Sequence, residues 1–131
     1  MAVDKKATLT YVQLMKEDLA VFRLVPEDGI IPDYETGQFI TLGMPIPSEE
    51  NKLIRRAYSI ASHPENKKFI ELVIRWVRKP LPGRVTTALF NAGEGNEVSW
   101  IPPTGNALQI SEKLSDGSKD ERRIVCVSGG T

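Results

Sequence analysis

Cysteine and histidine are almost absent: Cys126 and His63 are the only examples in 131 residues. One thiol permits no internal disulfide and no cysteine-based zinc site. With a single imidazole, no Ser/His/Asp relay and no metal-ligand constellation can be assembled. An excess of charge of one sign is also missing. Lys plus Arg and Asp plus Glu each number 17, so the formal net charge is zero. That removes the electrostatic footprint of a general nucleic-acid binder. No run approaches the roughly 18 apolar residues that span a bilayer, so no membrane insertion is expected. The opening "MAVDKKATLT" lacks the apolar core of a secretory signal, and a cytoplasmic protein is the expectation. What is present is ordinary: 40% hydrophobic and 26% charged residues, enough for one domain around one core.

Period-2 alternation dominates the chain. "ATLTYVQLM" (Ala7 to Met15) and "AVFRLV" (Ala20 to Val25) read as a hairpin connected by Lys16, Glu17, Asp18 and Leu19. "GQFITLGMP" (Gly37 to Pro45) and "LIRRAYSIAS" (Leu53 to Ser62) follow as strands. The clearest is "KKFIELVIRWV" (Lys67 to Val77), with Ile70, Leu72, Ile74 and Trp76 on one face and Glu71 and Arg75 on the other. The period then changes. "PGRVTTALFNAGEG" places Val85, Ala88, Leu89 and Ala92 at helical spacing, opened by Pro82-Gly83 and closed by Gly93. "NEVSWIPPTGNALQI" returns to strand, and "SEKLSDGSKDERR" reads as a solvated run. Six short strands and one helix predict a small, closed, six-stranded antiparallel Greek-key barrel, an all-β fold.

Two segments carry chemistry. An Arg-Arg pair alone reads as two solvated charges, but Arg56 is followed by Tyr58 and Ser59. In a strand, Arg56 and Tyr58 share one face, Ala57 and Ser59 the other. A planar cation and a ring two residues apart suit a ligand with an anionic part and an aromatic part, because guanidinium grips phosphate bidentately and the phenol ring offers a stacking surface. The second segment, "PGRVTTALF", starts a helix with glycine, leaving free N–H groups and the positive dipole end for an anion, with Thr86 and Thr87 adding hydroxyls. Taken alone it is equally an ordinary threonine-capped start. The end of the chain, "RRIVCVSGGT", is either a last barrel strand with a glycine tail or the first strand and turn of an α/β nucleotide-binding unit.

In order, "GQFITLG", "RAYSIAS", "ELVIRWV", "PGRVTTALF", "GEGNEV", "PPTG" and "IVCVSGGT" resemble the flavin-binding domain of the ferredoxin–NADP+ reductase superfamily. The similarity is greatest to the bacterial ferredoxin or flavodoxin reductases and runs from about Thr8 to Thr131. The resemblance implies FAD as cofactor, NADP(H) as co-substrate of the full-length protein, and ferredoxin or flavodoxin as electron partner. It implies that Arg56 pairs with the FAD pyrophosphate and that Tyr58, flanked by Ala57, lies against the isoalloxazine or ribityl chain. Ser59 would place its hydroxyl near flavin N5, making Ser59 and Tyr58 the catalytic candidates. Val73, Ile74 and Arg75 would line the flavin through their backbones, with Arg75 also near the adenine side. Gly83, Arg84, Val85 and Thr86 would close over the pyrophosphate, and Thr131 would begin the nucleotide-binding half. The division implied is an FAD-binding barrel over residues 1–122 and, over 123–131, the opening of an NAD(P)-binding domain whose remainder is missing.

Two departures stand out. Asn106-Ala107 follows "PPTG" where relatives carry an aromatic, which implies looser packing under that turn, and "RKPLPGRV" is proline-rich where relatives have glycine. Two other readings compete. One is the reductase component of an oxygenase or hydrogenase-type complex, which uses the same barrel. The other is a non-enzymatic oligonucleotide-binding barrel with Arg56, Tyr58 and Trp76 on its face, against which the zero net charge argues. His63 reads as an exposed loop residue and Cys126 as a buried strand residue. Trp76 and Trp100 read as packing, and Glu49-Glu50 and Lys67-Lys68 as solvated loop charge.

Overall fold

The computed structural model describes residues 4–108 and 111–127. Within them run β1 (Lys5–Lys16), β2 (Leu19–Pro26), β3 (Phe39–Ile46), β4 (Lys52–Ser59), β5 (Ile70–Arg75), α1 (Arg84–Ala92) and β6 (Glu97–Thr104). A short 3-10 turn at Pro47–Glu49 joins β3 to β4. The strands pair antiparallel in one sheet ordered β4-β3-β6-β1-β2-β5. This is the six-stranded antiparallel barrel with one short α-helix that the alternation predicts.

The alternation buries one face of each strand. Ile70, Leu72 and Ile74 of β5 meet Phe22 and Leu24 of β2, Leu9 of β1, Ile40 and Leu42 of β3, and Val98 and Trp100 of β6 in a single core. Helix α1 caps this core through Val85 and Leu89. Phe90 sets an edge against Phe22, with centroids 5.3 Å apart. Trp76, just past β5, stacks on Phe90 at 5.1 Å and donates its indole N–H to Thr87 Oγ1 at 3.0 Å. Both tryptophans therefore pack, Trp100 inside and Trp76 at the rim.

Several boundaries differ from the sequence reading. Lys16 pairs with Leu19, so the β1–β2 connection is Glu17-Asp18 alone. β4 stops at Ser59, not Ser62, because Ile60 still bonds Gln38 O of the β3 side (3.1 Å) while Ala61 N–H crosses to Glu71 O (2.8 Å). β6 stops at Thr104, where Gly105 turns to φ +100°. A Cβ on Gly105 would lie 2.7 Å from the Phe39 ring, and Gln38 Nε2 holds Gly105 O at 2.9 Å. Phe39 thus lies directly against the turn. Cys126 is exposed and residues 124–127 form no strand. The apolar run around it meets no neighbouring strand among the described residues, and pairing rather than β-propensity makes a strand.

Leu72 is fully buried and its neighbour Val73 is exposed. Leu72→Ala is expected to cost about 2–5 kcal/mol in urea unfolding, whereas Val73→Ala is expected to cost under about 1 kcal/mol. Equal losses would show that the two faces of β5 are not assigned correctly.

Candidate functional site

The barrel has a seam where the two edges of its sheet order, β4 and β5, meet. At one end the seam is closed by the Ala61–Glu71 bond. Backbone groups alternate in direction along an antiparallel strand, so the bonds that exist fix where the others point. Ile60 faces β3, hence Tyr58 and Arg56 do too, and the amides and carbonyls of Ala57 and Ser59 face the seam. On β5, Glu71 faces the seam, while Trp76 N–H bonds Asp18 O at 2.7 Å on the other side. Val73, Arg75 and Val77 therefore also face the seam. Val77 is satisfied by Gly83 N–H to its carbonyl (2.7 Å) and by Thr86 Oγ1 accepting from its N–H (3.2 Å). Val73 and Arg75 gain no such partner among the described residues. Unpaired backbone groups at such an exposed edge bond water, or a ligand that displaces it.

This opened seam is a groove of about 480 Å³. β4 supplies Arg56, Ala57 and Tyr58; β5 supplies Val73, Ile74 and Arg75; the start of α1 supplies Gly83, Arg84, Val85 and Thr86. Thus the basic strand and the helix N-terminus, far apart in sequence, border one cavity. Val77 lines it as well. Period-2 extension of Val73 and Arg75 would have found that residue. Ser59 stands at the last position of β4, opposite Phe39 and exposed, beside the groove rather than in its lining. Thr131 lies outside the described residues.

The N–H groups of Arg84, Val85 and Thr86 precede the first intrahelical bond, from Thr87 N–H to Gly83 O at 3.0 Å, and no side chain caps them. They are the unsatisfied donors that every helix start presents. The threonine hydroxyls do not join them. Thr86 Oγ1 is spent on Val77 N–H and Thr87 Oγ1 on Trp76, so both shape the loop and the main chain is left to meet an anion. Gly83 is required by space, because a Cβ would fall 2.6 Å from Thr86 Oγ1.

Three arginines line the groove, Arg56, Arg75 and Arg84. Arg56 donates to Arg55 O at 2.8 Å, while Arg55 itself pairs with Asp4. Arg84 pairs with Glu49 at 2.8 Å. Glu49 is therefore not a solvated loop charge; the 3-10 turn carries it to the helix start, a contact between residues 35 apart that no local pattern signals. Tyr58 is half-buried, and burial pushes its phenol up to about 12, with the Arg56 charge opposing. It stays a neutral hydrogen-bond donor at any ordinary pH.

Two larger hollows exist. One, about 800 Å³, lies along the polar segment from Ser111 to Ile124, and the other, about 690 Å³, lies between the β3–β4 connection and α1. Neither combines unpaired strand edges, a ring and a full helix N-terminus. The seam does. It suits a molecule with a flat hydrogen-bonding ring at one end and a diphosphate beyond it, and FAD has both parts.

Comparison with known proteins agrees. Residues 6–108 match the family of the oxidoreductase FAD-binding domain. The electron transfer subunit of dihydroorotate dehydrogenase B (NAD(+)) from Streptococcus thermophilus is 32% identical over 103 residues, covering 79% of this chain and 37% of that protein. The flavohem-like FAD/NAD binding domain of nitric oxide dioxygenase from Vibrio cholerae superposes with a TM-score of 0.73 at 23% identity, over 83% of this chain and 47% of that one. A ferredoxin NADP+ reductase from Neisseria gonorrhoeae, with bound FAD and NADP, gives 0.66 at 19% identity, over 81% of this chain and 40% of that one. The structural likenesses establish a shared fold, and the chain spans less than half the length of each of these relatives. The chain belongs to the oxidoreductase FAD-binding domain family, and its cofactor is FAD.

Proposed function

We propose that the chain is the FAD-binding portion of a ferredoxin (or flavodoxin)–NADP+ reductase. The observation that carries the reading is the groove, in which the Arg-x-Tyr-Ser strand and the glycine-led helix start border the same cavity. When bound, FAD would supply the redox chemistry, exchanging a hydride with NADP(H) and single electrons with ferredoxin or flavodoxin. In this reading Arg56 and the free N–H groups of Arg84, Val85 and Thr86 hold the diphosphate by charge-assisted hydrogen bonds. The seam-facing backbone of Val73 and Arg75 satisfies the polar edge of the ring, and Tyr58 stacks against the ring or its ribityl chain. Ser59, the last residue of β4 and two residues short of the seam's closed end, offers the hydroxyl that follows the proton inventory at N5. The family's pyridine-nucleotide half would begin within residues 123–131, with Thr131 at its first turn.

A second reading is the reductase component of a multisubunit electron-transfer complex. The 32% identity to a protein named as an electron transfer subunit favours it. The acceptor decides between them. The FAD-loaded chain, after photoreduction, is expected to reduce ferredoxin or flavodoxin; an unchanged acceptor spectrum contradicts the first reading.

Arg56→Ala and Tyr58→Ala are each expected to weaken FAD binding by about 1–3 kcal/mol in a fluorescence titration. Unchanged affinity in both variants would place the site elsewhere. Gly83→Ala is expected to reduce FAD affinity about ten-fold by prying Thr86 from Val77; wild-type affinity there would show the loop is not part of the seat. Because burial raises the folded-state pKa of Tyr58 to about 12, above the ordinary phenol value of about 10, the fold holds that proton more tightly than the unfolded chain does. Its contribution to stability is fully present below pH 10 and is lost as pH rises towards 12. Tyr58→Phe should flatten that alkaline fall in urea-unfolding free energy, and an identical slope would contradict the burial argument.

A further inference from the structure

The seam does not open at random. Where β4 crosses to β5, an antiparallel ladder would have Ala61 and Glu71 exchange both backbone bonds. Only one is made, from Ala61 N–H to Glu71 O at 2.8 Å. The return bond goes from Glu71 N–H to the side chain of Ser62, at 3.0 Å to Oγ. A hydroxyl has replaced a carbonyl, and from that point the two strands diverge into the groove.

Ser62 is held in turn. Its Oγ lies 3.2 Å from the hydroxyl of Tyr34, a residue 7% exposed on the loop between β2 and β3. The Tyr34 hydroxyl donates to His63 O at 2.8 Å. The same hydroxyl also lies 3.1 Å from Ser62 O. With its one proton taken by these carbonyls, the shorter contact being His63 O, Tyr34 accepts from Ser62, whose Oγ accepts from Glu71 N–H. The result is a continuous relay, Glu71 N–H to Ser62 to Tyr34 to His63 O, in which each bond polarises the next. It sits three residues beyond Ser59 on one strand and, at Glu71, two residues before Val73 on the other, at the closed end of the groove.

We propose that Ser62 and Tyr34 are positioning residues: their hydroxyl pair is the wedge that ends the β4–β5 ladder and sets the gap in which the flavin ring lies against Ser59. The inference rests on the seam being the FAD seat. The wedge touches neither ring nor phosphate, and it acts through the separation of Ser59 from Val73. Without the Ser62 hydroxyl, Glu71 N–H loses its acceptor. The strands then either zip further towards Ser59 or leave the donor unpaired, and both outcomes alter the slot.

The test compares wild type, Ser62→Ala, Ser62→Thr and Tyr34→Phe as FAD-loaded proteins, with thermal unfolding of each apoprotein alongside. Ser62→Ala is expected to bind FAD about ten-fold more weakly and to shift the visible absorption band of whatever flavin remains bound. Ser62→Thr, which keeps the hydroxyl, should restore both. Tyr34→Phe should shift the band in the same direction by a smaller amount. A general loss of stability would lower the unfolding temperature without moving the band or being rescued by threonine. Wild-type affinity and spectrum in Ser62→Ala, or no rescue by Ser62→Thr, overturn the wedge. If Arg56→Ala and Gly83→Ala still weaken FAD, the seat itself stands and the wedge alone has failed. If they also have no effect, the seat falls and the wedge with it.

Discussion

A β-sheet that closes on itself must satisfy the backbone groups of its two edge strands, and here it does so over only part of their length. β4 and β5 are joined at Ala61 and Glu71, then part. The amides and carbonyls left facing the gap on Val73 and Arg75 are polar groups without a strand partner, open to the hydrogen-bonding edge of a ligand in place of water. The rest of the site follows from that unfinished closure. The core behind it is rigid because β2 and β5 pair over Leu19–Leu24 and Ile70–Arg75. The helix that caps the barrel is docked where the gap ends.

The helix is placed by side chains that do not themselves meet the cofactor. Trp76 leaves β5, stacks on Phe90 and bonds Thr87; Arg78 covers the other side of Trp76, its guanidinium 4.1 Å from the ring. Thr86 ties the first turn back to Val77. These contacts fix the orientation of three unsatisfied N–H groups without occupying them. Arginines are then added at the borders. Arg84 is steadied by Glu49 through a partly exposed pair, the kind worth about 0–1 kcal/mol. It holds the side chain near the helix start, yet weakly enough that a doubly charged diphosphate can compete for it.

Much of this was legible in the sequence, for identifiable reasons. Strands wet on one face write their alternation into the chain, so Ile70, Leu72 and Ile74 announce β5. The one change of period marks α1. Glycine before a helix, and arginine two residues before tyrosine in a strand, are local patterns, and they pointed to groups that now share a groove. What was not legible depends on contacts between distant residues. The Thr86 and Thr87 hydroxyls looked free until Val77 and Trp76 were placed beside them. Glu49 looked solvated until the β3–β4 turn brought it to Arg84. Ser62 looked like the end of a strand, because only the position of Glu71 across the seam shows that it replaces a ladder bond. Cys126 looked buried because its neighbours are strand formers, and propensity says nothing about whether a partner strand exists.

Amide hydrogen exchange, followed residue by residue before and after adding FAD, tests the central claim most directly. If the unfinished seam and the helix start together seat the cofactor, the amides of Val73, Arg75, Arg84, Val85 and Thr86 should slow markedly on binding. Those on the far side of the barrel, such as Lys6 and Thr8 of β1, should not change. Unaltered exchange at Val73 and Arg75, with protection appearing elsewhere, would contradict the account.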